Sequence, residues 1–586
     1  MRPMSNISLT EKLLTAVSSF TVSSFTVFSF TELAPPPPRA VRFLRRAAVL
    51  SATAALTALP ASAAIFTVGS NGECTHETLQ DAIQAAYNNE SPVPTVDEIR
   101  LSEREGEEEG AIPFVGEYEI FDQVVSIRGG FENCDSTSRS GQTQIDRPEG
   151  ARHFTIYSSG ADTRVTLEGL NLVTTGGPAE IGEGGSIHLS GRSHLTVRDS
   201  HVGQGVAEIG GGIFIDGEDG AYLNLDDMAV VWQNEAQIGG GIFCSGEGGV
   251  WLSKTALVLK NTADSAGGGL YLDGCSLYVD RQTPWTGIIR NVADEGGGIY
   301  ATGGSRAEVR GNLLENVANR GGAALVEVEG SQLILNGGLT ASNVALGQGA
   351  GVYARRQGFV SMFYRDEECV DLSVCNAMVD NRATHDGGAF YGESGAQIFI
   401  TGARLADNGS RYGAVAVIDG STSYLDMEST EVVGNVGDIM VQVTGGAVFR
   451  GSYLTLGDNK PHLVTSGDLW AFNNRPSNSE VRNTILWDED GRFHLASSSP
   501  VGAYTCLLIP TMFHDPGSPT AVVGDPRFVD EAARDFSLGP NSEAVDLCPA
   551  TLSSNPDRAF QDRVRNDGSE PDIHGPADAG AFERQP

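Results

Sequence analysis

Asp226 and Asp227 form the one suggestive acidic pair inside the repetitive part of the chain. Two carboxylates can protonate a leaving glycosidic oxygen and activate water, while a basic pair holds a uronate substrate. That chemistry would bring a Gly-His-Gly and an Arg-x-Lys with it, and neither tripeptide occurs. In so acidic a chain a lone Asp-Asp reads more simply as a solvated turn. Elimination instead needs Arg or Lys as base, with Ca²⁺ to acidify the proton α to a uronate carboxylate. Arg355, Arg356 and Arg404 are available for it, beside Asp216, Asp273 and Asp294, but none stands in a cluster above the background. His188, His194 and His385 are scattered singly and read as surface or turn residues. No catalytic residue is assigned, and no Cys/His set has zinc spacing.

The glycine-rich stretch NVADEGGGIYATGGS (Asn291–Ser305) raises phosphate binding as another chemistry. A P-loop requires Lys then Ser or Thr after its last glycine. Ile299 and Tyr300 follow Gly298, and Gly-Lys occurs nowhere. A dinucleotide fingerprint would place a third glycine at Ala301. The calcium nonapeptide wants an Asp soon after the glycines, where this chain has apolar residues.

The stretch is instead one copy of a repeat. Related phrases begin at Gly210, Gly239, Gly267, Gly296, Gly321, Gly349, Gly387 and Gly445, with a worn copy, YGAVA, at Tyr412. Spacings up to Gly387 are 29, 28, 29, 25, 28 and 38 residues, the last lengthened by DEECVDLSVC. Asparagine with alanine two residues on precedes most copies: Asn234, Asn261, Asn291, Asn316, Asn343 and Asn381. Short period-two stretches follow the glycines, so each repeat reads as short strands and turns, with no helical periodicity.

A constant period of short strands predicts an all-β fold, a right-handed parallel β-helix of about eleven coils. Equivalent residues then stack, so the asparagines predict an amide ladder and the glycines a column with φ > 0. Ile213, Ile242, Leu270, Ile299 and Val352 are expected to point inward. Phe214, Phe243, Tyr271, Tyr300, Tyr353, Tyr391 and Phe449 are expected to point outward, as an aromatic column that faces a ligand or stacks to support the strands.

The Asn-x-Ala segment leading into GG[AG][ILV] resembles the repeats of chlamydial polymorphic outer-membrane proteins and related bacterial surface β-helices with the pectin-lyase-like fold, over Gly184 to Phe449. The closing stretch, GDPRFVDEAARDFSLGPNSEAVDLC and then DAGAFERQP, resembles the choice-of-anchor Q region of bacterial surface β-helix proteins. Ala579 and Phe582 replace the Ile and Tyr of its DIGAYE-like phrase. This resemblance implies surface association, although no sorting motif is evident and too little chain follows Phe449 for an outer-membrane barrel. THETLQDAIQAAY (Thr75–Tyr87) predicts an N-terminal capping helix, with Thr78 as N-cap and Leu79, Ile83 and Ala86 as its apolar stripe.

Composition fits this picture. Of 586 residues 73 are glycine and only 19% are charged, which suits a repetitive all-β chain. Residues 42–64 have a basic start, an Ala/Leu run and Ala61-Ser62-Ala63, as in a secretory signal peptide. Eight cysteines fit an oxidising compartment, with Cys74–Cys134, Cys244–Cys275, Cys369–Cys375 and Cys506–Cys548 as the expected pairs. The net charge of −36 opposes nucleic acid and polyanion binding. The run EREGEEEG (Glu103–Gly110) is expected to be a solvated loop.

The expected layout is a presequence (1–64), an N-terminal cap with the first coils (65–150), β-helix repeats (151–465), and C-terminal coils with a cap (466–586). The expected role is adhesive, structural or glycan-binding, outside the cell or on its surface. The partner is expected to be a glycan or a cell-surface protein, with outer-membrane or cell-wall association. Polysaccharide lyase or glycoside hydrolase activity is the alternative. No cofactor is expected, and calcium is the one ion an acidic surface would favour.

Overall fold

Stacking equivalent repeats lets every strand find its hydrogen-bond partners in the coils before and after it, which is why a period of about 28 residues becomes a solenoid. In the computed structural model the chain forms a parallel β-helix of about twelve turns. The turn count exceeds the repeat count because coils before Gly184 lack the glycine phrase. The structure describes residues 63–69, 73–89, 96–102, 114–160, 162–173, 182–253, 255–280, 286–364, 371, 373–462, 467–472, 479–487, 493–494, 504–510, 520–549, 556–559, 561 and 575–584. The expected signal segment, save Ala63 and Ala64, and the acidic run Glu103–Gly110 lie outside them.

Each coil contributes two strands to a 28-stranded parallel sheet and one to a 14-stranded parallel sheet, with short three-stranded sheets at the corner between them. Period-two alternation sends one side of every strand into the lumen. Leu195, Leu223, Val250, Leu277, Ala307, Leu333, Val360, Ile398 and Leu425 form one such column, in register from coil to coil. Ile213, Ile242, Leu270, Ile299, Ala324 and Val352 form another on the 14-stranded sheet.

Two backbone devices turn the corner. Asn234, Asn261, Asn291, Asn316, Asn343, Asn381, Asn408, Asn435 and Asn459 stack as a buried ladder, each Nδ2 donating to the next Oδ1 at 2.9–3.1 Å. The residue before each asparagine is left-handed, from Gln233 (φ 51°) through Lys260 (φ 55°), Arg290 (φ 57°) and Glu315 (φ 55°) to Asp407 (φ 54°). Such a conformation costs an L-residue roughly 1–2 kcal/mol, and the bonds of the following asparagine offset it. A few residues on, the first glycine of each triplet is left-handed too, as at Gly296 (φ 62°). A Cβ there would sit 2.4 Å from Ile299 O, so the column admits only glycine.

Helix α1 (Leu79–Asn88) lies at the N-terminal end, capped by Thr78 Oγ1 accepting from Asp81 N at 3.1 Å. Its Leu79, Ile83 and Ala86 are buried against the first strands, as its stripe predicts. Disulfides join Cys74–Cys134, Cys244–Cys275 and Cys506–Cys548. Cys375 is disulfide-bonded, and its expected partner Cys369 lies outside the described residues.

The C-terminal segment runs along the flank of the last coils. Phe536, Ala581 and Phe582 pack on Ala406 and Val433. Arg534 passes over Gly434, bonding Asp407 Oδ1 at 2.7 Å on one coil and Asp458 Oδ2 at 2.8 Å two coils on.

Candidate binding faces

The aromatic column occupies the outer side of the 14-stranded sheet, in register as Phe214, Phe243, Tyr271, Tyr300, Leu325, Tyr353 and Tyr391. Phe214–Phe243, Phe243–Tyr271 and Tyr271–Tyr300 stack with centroids 5.2, 5.3 and 4.8 Å apart, and Tyr353–Tyr391 at 5.0 Å. The column faces away from the lumen but is largely covered. The column lies in the angle between this sheet and the corner strands, where Ala266 closes over it, and Tyr300 is only 6% exposed. Phe243 and Tyr271 are the most open of its rings.

Phe449 does not belong to the column. It pairs with Leu425, faces the lumen and is fully buried. The GGAVF phrase at Gly445 is out of phase: Gly445 (φ 62°) follows the strand Ile439–Thr444 and leads into the broad sheet. The corner of that coil comes earlier, after Asn435. The worn copy at Tyr412 is in phase, for Gly413 (φ 60°) turns the corner and Val417 continues from Tyr391.

The polar edges of the column are engaged within the protein. Tyr300 Oη donates to Glu327 Oε1 at 2.5 Å, and Tyr353 Oη to Glu393 Oε1 at 2.7 Å. Arg355 grips Glu295 through two bonds, 2.8 and 2.9 Å, and gives Nε to Glu327 Oε2 at 2.6 Å. Arg320 adds a 3.0 Å bond to Glu295. Burial pushes the Glu295 carboxyl up, but Arg355 and Arg320 outweigh it and hold it below its ordinary range. Burial, reinforced by Glu327, pushes the Tyr300 phenol well up. Burial, with Asp273 next, raises Tyr271 to about 12. The arrangement is a neutralised ion-pair network in which both carboxylates share one guanidinium.

Asp226 and Asp227 are adjacent in the chain but have separate surroundings. Asp226 is nearly buried and accepts from Arg198 at 2.9 Å and Ser253 Oγ at 2.8 Å. It extends a column of alternating arginine and carboxylate along the broad sheet, with Glu168 two coils before and Arg128 three. Asp227 is exposed in a left-handed turn (φ 42°). Arg404 pairs with Glu431, and Arg356 with Glu327. Burial, with Arg152 next, lowers His188 to about 4. Among the described residues no group of His, Cys, Asp and Glu is placed to hold a metal ion.

Among the described residues, the most exposed large rings lie on the other face. Tyr222 and Trp251 stand out from the 28-stranded sheet, 47% and 53% exposed, on successive coils. His194 stacks on Tyr222 at 5.5 Å, and Tyr278 meets Trp251 edge-on at 5.2 Å. AYLNLD and GGVWLS carry the signal in sequence, since their rings alternate with the lumen residues Leu223, Leu225, Val250 and Leu252. Attention to the glycine phase alone passes over it.

Comparison of the chain with protein-family models and with curated protein sequences gives no match.

Proposed function

We propose that this chain is a secreted or surface-displayed β-helix with an adhesive or structural role, presenting a rigid outer face to a glycan or a cell-surface protein. The observation that carries this reading is the continuous Asn ladder, which braces nine successive coils at one corner through buried amide–amide bonds. The disulfides, three of them wholly among the described residues, fit an oxidising compartment, and residues 42–64 fit export. The resemblance of the repeats to polymorphic outer-membrane proteins, and of the C-terminus to the choice-of-anchor Q region, supports display at the surface. Expression with residues 1–64 intact is expected to give an extracytoplasmic product beginning near Ala64, and that product is expected to adhere to immobilised cell surfaces or polysaccharides. A cytoplasmic, uncleaved product with no adhesion would overturn the reading.

The second reading, a polysaccharide lyase or glycoside hydrolase, draws on one observation. Glu295, Arg320, Glu327 and Arg355 depart from the repeat on successive coils beside Tyr300. Incubation with polyuronates and Ca²⁺ tests it. Unsaturated or newly reducing products that vanish in Arg355→Ala would establish the enzyme reading.

A further inference from the structure

We infer that the outer face of the 28-stranded sheet around Tyr222, Trp251 and Tyr278 binds a neutral polysaccharide by ring stacking. The inference rests on the binding role proposed above and gives it a place and a ligand class.

Register sets the geometry. His194, Tyr222, Gly249 and Ser276 occupy one outward column, and Asn224, Trp251 and Tyr278 the next. Gly249 shapes the platform. A Cβ there would lie 2.6 Å from Tyr222 Cε1, so the Tyr222 ring leans over the following coil into the space a side chain would fill. Tyr222 lies between His194, stacked 5.5 Å away on the preceding coil, and the bare Gly249 on the following one, and its edge keeps it 47% exposed, as Trp251 one coil on is 53% exposed. Arg310 sits over Tyr278, its Cζ 5.5 Å from the ring centroid. The rings thus form a short track along the solenoid axis, advancing one coil at a time by about 4.8 Å. Asn224, Ser276 and Glu308 stand beside it as hydrogen-bonding groups.

The occupant follows from area and charge. An aromatic side chain offers 150–250 Å² in all, so two half-exposed rings leave on the order of 100 Å² each, far below the ~800 Å² per partner of a stable protein interface. Polar neighbours on the same face stop the apolar surface from continuing. Single-stranded nucleic acid stacks on such rings too, but a net charge of −36 opposes its phosphates, and polyuronates likewise. A neutral sugar chain meets both conditions. Its C–H faces lie on the rings, and its hydroxyls reach the polar groups alongside.

The test is titration of the full secreted chain with cello-, manno-, xylo- and chitohexaose, and with hexagalacturonate as the anionic arm, by calorimetry and tryptophan fluorescence. At least one neutral hexasaccharide is expected to bind and to perturb the fluorescence. Trp251→Ala and Tyr222→Ala are expected to weaken binding tenfold or more with unchanged melting, since both rings are exposed. Trp251→Phe is expected to retain most of the affinity but lose the fluorescence change. Gly249→Ala displaces the Tyr222 ring and is expected to weaken binding too. Undiminished binding in both alanine variants would overturn the platform, as would preference for hexagalacturonate or a dimer that Trp251→Ala dissociates. Adhesion to surfaces that survives Trp251→Ala would sink this inference and leave the broader role standing. Absence of any adhesion or sugar binding by the wild type would remove both.

Discussion

Asn291 donates from Nδ2 to Asn316 Oδ1 at 3.0 Å, and both amides are fully buried. Asn291 also accepts from Asn261 Nδ2 and from Asn261 N, and donates to Val258 O, so four bonds pass through one side chain. Asn291→Ala removes them together and leaves buried groups on both neighbouring coils unsatisfied, at about 1–3 kcal/mol each. A loss of roughly 3–5 kcal/mol is expected, read as a lower melting temperature and as faster amide exchange confined to coils around 258–316. Exchange that stays at the wild-type level there would count against the ladder as the corner's main support.

The flank segment depends on a buried charge. Arg558 is fully buried, with Nε 3.5 Å from Glu431 Oε2 and Nη2 donating to Cys375 O at 3.1 Å, while Arg404 pairs with the same carboxylate. Burial pushes the Glu431 carboxyl up, and the two arginines oppose it. Arg558→Ala is expected to destabilise the flank by about 3–5 kcal/mol, because it strips one partner from a buried pair. Limited proteolysis should then cut first within the segment beyond 520, ahead of the repeats.

Two buried groups give opposite pH slopes. His153 is fully buried, and burial, with Arg147 second, lowers it to about 3. It stays neutral in the fold while the unfolded chain takes up a proton, so its contribution is lost as pH falls below about 6.5. Burial, with Glu583 second, raises Asp578 to about 7. The fold keeps that proton when the unfolded chain has released it, so stability falls as pH rises from about 4 to 7, by roughly 4 kcal/mol. Asp578→Asn is expected to remove the second slope, leaving a variant whose denaturation midpoint drops more on acidification from pH 7 to 4 than the wild type's. Parallel curves for the two proteins would refute this assignment.

Cys244 and Cys275 are both fully buried and join adjacent coils across 31 residues. Closing a loop of that length in the unfolded chain corresponds to about 3–4 kcal/mol. Under native conditions with reductant, alkylation is expected at Cys74 and Cys134 well before Cys244 and Cys275. The double Cys244→Ala, Cys275→Ala variant is expected to melt lower. Equal labelling rates at the two pairs would contradict the burial argument.

The Asn and glycine phrases were legible because stacking makes identical demands on every coil. A left-handed corner needs glycine, and a buried amide ladder needs asparagine, so types recur wherever geometry recurs. Phase was less legible. GGAVF at Gly445 repeats the composition of the corner while serving a different turn, and only the register Leu425–Phe449 reveals that its ring points inward. The left-handed residues before the ladder, such as Lys260 and Arg290, share no side-chain type and carry no sequence signal.

By itself the sequence determined the all-β solenoid, its corners, its lumen columns and the N-terminal capping helix, since these depend on spacing and residue type along one coil. The tertiary structure decided which outward rings meet solvent. Strand alternation sends Tyr300 and Trp251 alike away from the lumen, but the corner strand folds over the first while the second stays 53% exposed, and the bare Gly249 leaves room for the Tyr222 ring of the coil before. Exposure is a property of neighbouring coils and sheets, and local pattern does not contain it.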